Sequence, residues 1–314
     1  MDKLLKLNKY AGLAHAASFI VLLIFYFHYK NSHKHSKAQL YRSALPTKEA
    51  LEGTCNTTGG PISQGAGQCL TAPILGIPKK VPVSFNVIYG AAAFFAITAF
   101  AHAYYTTDGF GSGSYSKVIS EGWNPYRWVE YGASASLMSI LIGYALGVND
   151  VSQLGNFALI TAAMQACGFI VEASLRNQQQ LTAFGGPIFN KQIIVGATVA
   201  GWLLFVSLWG PLLYTFWSRV NDVSIEYKGL TDSTSGKPIK VPAFVWFIVL
   251  VQLYNYASFG IIQAKQIAAA FKNKLPDFKT IESKYLKLSF AGKLGLASGL
   301  GYGLIYRTKD CNDT

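Results

Sequence analysis

The chain has 314 residues, 51% of them hydrophobic and only 13% charged, with a net charge of +12. Soluble domains carry roughly a quarter charged residues, so this balance and the positive mean hydropathy point to a membrane protein. They exclude a disordered, collagen-like or disulfide-stapled secreted chain.

Seven stretches almost free of charge follow one another along the chain. They are Tyr10–Tyr29, Val81–Tyr105, Tyr131–Asn149, Val151–Val171, Gln192–Ser218, Val241–Ala264 and Leu288–Tyr306. The third is extended backwards by Pro125–Glu130, and the last contains a single charge, Lys293. Each is long enough to cross about 30 Å of hydrocarbon as a helix, and a spanning segment must satisfy its own backbone. The expected fold is therefore all-α, one seven-transmembrane-helix domain over residues 1–314. Its helices are expected at about 10–29, 83–105, 125–148, 151–175, 190–218, 241–264 and 286–306. The first run is followed by His28-Tyr29-Lys30 rather than a small-residue cleavage site, so it reads as a helix and not as a cleaved signal.

The connections differ in kind. Residues 30–80 form one long polar loop holding Cys55 and Cys69. Residues 106–124 are rich in Gly and Ser, and 219–240 read as a polar, hairpin-like excursion with alternation around Val223–Tyr227. Residues 265–287 form a basic loop with six lysines against Asp277 and Glu282.

Seven helices put the termini on opposite faces, and Lys and Arg divide almost evenly between those faces. Seven of them lie in the long first loop, which weighs little in the positive-inside rule, so a cytoplasmic N-terminus and extracellular C-terminus are expected. Both Asn-x-Thr sequons, at Asn56 and Asn312, then fall outside, as do Cys55 and Cys69. These two cysteines stand either free or as a disulfide, and Cys167 reads as a small packing residue. The juxtamembrane basic patches suit lipid headgroups rather than nucleic acid.

Ionisable groups inside hydrocarbon are costly, so each is a functional candidate. Here they are His15, His102, Arg127, Glu130, Glu172 and Lys293. Lys293 lies six residues past Lys287, about 9 Å in; it either snorkels to the headgroups or stays buried. A buried lysine suits Schiff-base formation with an aldehyde, and Ser289 shares its helix face. The resulting cation needs an anion, for which Glu130 is the candidate; the alternative is an ordinary interfacial pair of Glu130 with Arg127. Glu172 and Arg176 read as a structural i,i+4 pair. His15 and His102 either bond between helices or hold a mobile proton, with Thr98 one turn away facing the same cavity. No metal cluster, catalytic triad or phosphate loop is visible, so no enzymatic activity is expected.

A lysine in the seventh helix facing a carboxylate in the third resembles the plan of the retinal-binding rhodopsins. Arg127-x-x-Glu130 is similar to the Arg-x-x-Asp of microbial rhodopsins. However, Ser289 stands where those proteins carry an aspartate, and Leu141 where their pumps carry a second carboxylate. The heliorhodopsin family fits better. Asn124-Pro-Tyr-Arg127-Trp128-Val-Glu130-Tyr131-Gly-Ala-Ser-Ala-Ser136 resembles its third helix, and Leu288-Ser289-Phe-Ala-Gly-Lys293 its retinal attachment segment. Met164-Gln165-x-x-Gly168-x-x-x-Glu172, Val241-Pro242-x-Phe244-Val245 and the two histidine positions are also similar. Gly292 before the lysine and Tyr254-Asn255-Tyr256 in the sixth helix depart from the pattern.

That resemblance implies all-trans retinal on Lys293, Glu130 as counterion and Ser289 beside the Schiff base. It implies an inverted topology, a homodimer, and a β-hairpin in the long extracellular loop between helices 1 and 2. Trp202, Met164, Gln165 and Phe244 are candidate walls of the chromophore pocket. His15, His102, Thr98 and Arg127 form the candidate proton-accepting network. The expected function is a light-sensing photoreceptor without net ion pumping, signalling through the basic loop 265–287 to a cytoplasmic protein. The alternative is a light-driven or light-gated proton conductor, with Glu172 and Glu226 completing a path; a chromophore-free transporter or receptor is a further one.

Overall fold

A computed structural model of the protein describes residues 2–28, 37–44, 77–177, 187–226, 241–272 and 277–312. Seven long helices stand among them: α1 (Asp2–His28), α2 (Val87–Thr106), α4 (Pro125–Ala145), α5 (Val151–Asn177), α6 (Pro187–Glu226), α7 (Ala243–Phe271) and α8 (Phe278–Asn312). A short α3 (Ser114–Ser120) lies in the Gly/Ser-rich connection before α4. Strands β1 (Lys37–Ala44) and β2 (Ile77–Asn86) follow α1 and pair antiparallel, from Lys37 opposite Asn86 to Ala44 opposite Ile77. The register slips between Gln39 and Tyr41, opposite the stretch of β2 that contains Pro82. Proline has no N–H to offer a ladder, so it falls at such an irregularity. The connection at 45–76, where the expected hairpin would turn, lies outside the described residues, as do Cys55, Cys69 and the Asn56 sequon.

Helix starts follow local chemistry. The Asn86 side chain accepts the backbone N–H of Ile88 and Tyr89 at 2.9 and 3.3 Å, and Asp150 accepts those of Ser152 and Gln153, both at 2.9 Å. Asn124 caps Arg127 N at 3.2 Å with Pro125 in the first turn, where its fixed φ suits a helix. Pro242 precedes α7. Such caps each contribute about 1 kcal/mol.

Three expected boundaries shift. α1 begins at Asp2, eight residues before its apolar run, because Lys3, Lys6 and Lys9 are good helix formers. The excursion expected from 219 is helical as far as Glu226, since no glycine or proline interrupts Arg219–Glu226; the rest lies outside the described residues. The basic loop is mostly helix: α7 runs on to Phe271, and α8 starts at Phe278 behind Asp277, whose carboxylate accepts Lys279 N and the Thr280 hydroxyl.

Five of the seven long helices are long and apolar enough to cross a membrane: Lys3–Phe25, Val87–Thr106, Val151–Leu175, Lys191–Asn221 and Ala243–Phe271. The other two, α4 and α8, carry four of the buried charged side chains, Arg127, Glu130, Glu282 and Lys293, and Glu172 stands on α5. Large apolar side chains such as Ile24, Phe100, Leu159, Leu203, Tyr214 and Leu250 point outward, as expected where lipid is the solvent. The chain is an integral membrane protein.

The core is apolar in one half of the bundle. Phe94, Leu141, Ile142, Leu208, Leu212, Ile248 and Leu296 are fully buried in one cluster. In the other half, near the start of α1, Leu4, Tyr105, Tyr115 and Ile119 make a smaller one. Burial pushes the Tyr115 phenol up to about 12, so it stays neutral and accepts from Asn8 Nδ2 at 3.1 Å. Long helices consecutive in the chain pack along broad seams except α6 with α7, which meet along a thin one. Gly12 lets α1 approach α2 closely: a Cβ there would stand 2.9 Å from His102 Cβ.

Candidate functional site, a buried lysine–carboxylate pair beneath an aromatic cavity

Lys293 is 2% exposed in the middle of α8, so it does not snorkel. Its Nζ donates to Glu130 Oε1 at 2.8 Å and to Ser289 Oγ at 2.8 Å, and sits 5.2 Å from the centre of the Tyr131 ring. Glu130 lies on the first turns of α4, also buried. The same Oε1 accepts Thr98 Oγ1 from α2 at 2.5 Å and Ser134 Oγ, one turn on, at 2.8 Å. Three helices thus converge on one oxygen. A buried ion pair holds only when its remaining hydrogen-bonding capacity is met in this way.

α7 holds α8 in register at this level. Gln252 Nε2 donates to Gly292 O and Asn255 Nδ2 to Leu288 O, each at 2.8 Å. The glycine before the lysine has a steric reason: a Cβ on Gly292 would lie 2.5 Å from Asn255 Oδ1. The two departures from the family pattern, Gly292 and Asn255, therefore meet each other.

A cavity of about 830 Å³ ends on Lys293 and Ser289. Trp128, Tyr131, Met138, Met164, Gln165 and Cys167 line one side, and Trp202, Phe205, Tyr256, Phe259, Gly260 and Gln263 the other. Its mixture of aromatic wall and few polar groups is that of a small-molecule site. Met164, Gln165 and Trp202 are among its lining residues. Phe244 does not line it. It opens α7 eleven residues before Asn255, about 16 Å along the axis, and packs near Tyr302 and Gly303. Cys167 is a wall residue rather than plain packing.

His15 and His102 are brought together. Their rings stack at 5.4 Å and 9°, and the His102 Nδ1 lies 3.0 Å from Asn8 Oδ1. Both nitrogens of His15 are buried without a hydrogen-bond partner among the described residues. A second, polar cavity of about 250 Å³ is lined by Asn8, His102, Tyr105, Arg127, Glu130, Tyr131, Glu282, Leu286 and Ser289. Thr98 does not line it; its hydroxyl is spent on Glu130.

Arg127 shares that cavity, but its guanidinium turns away from Glu130. It ion-pairs with Glu172 of α5 and Glu282 of α8 and stacks on Tyr285, 4.2 Å from the ring centre. Glu172 thus partners Arg127; the side chain of Arg176, its expected partner, lies outside the described residues. The sequence reading left Glu282 in a loop and gave Ser134, Tyr131 and Asn8 no role. Spacing carried the signal for three of them. Ser134 is four residues from Glu130, Asn8 is seven from His15, and Glu282 is eleven, three turns, from Lys293.

A helical membrane bundle with a buried lysine paired to a carboxylate at the end of an aromatic cavity is the arrangement of rhodopsin-like proteins. Residues 72–210 match the family model for heliorhodopsins, a span that contains α4 but not α8, and so bear out the resemblance drawn from α4. No curated protein matches the chain. The heliorhodopsin family implies a retinal chromophore, and the cavity lined by Lys293 fits one in its largely apolar, aromatic wall and the placing of its single amine.

Proposed function

We propose that the chain is a light-sensing photoreceptor that binds all-trans retinal at Lys293, crosses the bilayer seven times and has no enzymatic activity of its own. The observation that supports it most is the buried Lys293–Glu130–Ser289 cluster, whose Lys293 and Ser289 line the cavity. When bound, retinal supplies a light-driven change of shape and, through its Schiff-base link, a charged nitrogen on Lys293. Glu130 holds that charge, and Thr98 and Ser134 keep its Oε1 aimed at the nitrogen. Ser289 offers a neutral partner on the same helix face. A proton released from the nitrogen is taken up at a ring nitrogen of His15 or His102. The proposed orientation keeps the N-terminus cytoplasmic, and the proposed assembly is a homodimer.

The placing of the buried ionisable groups supports the absence of net pumping. The His, Arg, Glu and Lys side chains among those described lie at the midpoint of α1, in the first half of α4 and α8 and in the last half of α2 and α5, hence level with Lys293 or to one side of it. Beyond Lys293 stands the apolar core cluster, where a free proton meets several kcal/mol of desolvation cost. Voltage-clamped cells expressing the chain are expected to show no sustained light-evoked current. A steady current that follows the proton gradient overturns this and favours a proton conductor. Replacing Glu130 with Gln is expected to shift the visible absorption band strongly, because the charge beside the nitrogen is removed; an unchanged band sinks the counterion assignment.

A further inference from the structure

We infer that Glu172 and Glu282 share one proton at neutral pH, forming a proton store separate from the Lys293–Glu130 pair. Arg127 lies between the two carboxylates, its two terminal nitrogens each donating to one of them. All three side chains are at most 4% exposed. Asn124 ties the remaining oxygens: its backbone N donates to Glu172 Oε1 at 2.6 Å and its Nδ2 to Glu282 Oε1 at 2.7 Å. One guanidinium, which stays charged, thus faces two carboxyl groups, and among the described residues a second ionised carboxylate has no cation of its own.

The groups around the triad do not supply that charge. From α2 come Tyr105 and His102, from α4 Glu130 and Tyr131, and from α8 Tyr285; α1 contributes the neutral Asn8. Lys293 is the other buried cation among the described residues, and Glu130 neutralises it. The N-terminus of α4, where Asn124 N points at Glu172, supplies at most about half an elementary charge. Like charges held this close in a dry site do not both ionise, and one keeps a proton.

Glu282 borders the same polar cavity as Glu130, Ser289 and His102. The store therefore borders the same cavity as Glu130, the carboxylate that Lys293 faces. The proton count depends on the carboxylates alone and holds with or without a chromophore, so it stands or falls independently of the photoreceptor reading.

The test is infrared spectroscopy of the purified full chain at neutral pH, in a detergent without carbonyl groups. Isotope-labelled glutamate isolates the C=O stretch of a protonated glutamic acid. The expected result is one such carbonyl per chain in the wild type, lost in E172Q and in E282Q and retained in E130Q. A wild-type spectrum without it overturns the proposal, as does a band that disappears in E130Q. If E172Q and E282Q do not fold, the wild type and E130Q decide between these outcomes.

Discussion

Lys293→Ala is expected to abolish every visible absorption band of the chain expressed with all-trans retinal. No other lysine stands among the residues lining the cavity, so no second amine is in place to receive an aldehyde. The substitution also removes the cation that Glu130 faces, and an unpaired buried carboxylate costs about 3–5 kcal/mol. Loss of colour through unfolding and loss through the missing amine are separated by the double variant K293A/E130Q. It leaves no orphan charge and is expected to fold, yet to remain colourless. A visible band in K293A assigns the chromophore elsewhere. No band in the wild type removes the photoreceptor reading altogether.

Arg127→Met is expected to destabilise the protein by about 3–5 kcal/mol, because it strips the carboxyl groups of Glu172 and Glu282 of the one cation they share among the described residues. The measurement is thermal unfolding in detergent micelles, followed by loss of helical circular dichroism. The triple variant R127M/E172Q/E282Q is expected to recover most of the loss, since replacing a whole buried ionic network with neutral groups is often close to neutral. If R127M unfolds with the wild type, the three side chains do not act as one network.

Much of this arrangement was legible in the sequence because hydrocarbon permits few solutions. A charge-free run must be a helix, and an isolated charge within one must be partnered. Lys293, Glu130 and Ser289 were readable for that reason, and spacing placed Ser289 beside the lysine. Partners across helices were not readable. Arg127 and Glu130 share a face by spacing, but which carboxylate the guanidinium takes depends on how α4, α5 and α8 pack. Glu282 was hidden by its lysine-rich neighbours, which suggested a loop although Asp277 supplies a helix start just upstream. Phe244 was misplaced because a family motif at the opening of a helix carries no depth. Gly292 became intelligible only when Asn255 appeared against it.

The one-sided placing of the buried ionisable groups has an electrical consequence. Along its axis the bundle is a polarisable half in series with an insulating half. Any charge shifted at Lys293 on illumination moves within the first half and meets a dielectric wall in the second. Under the proposed function such a bundle displaces charge without conducting it, and the expected electrical signature is a brief capacitive transient that reverses in the dark, with equal area under each phase.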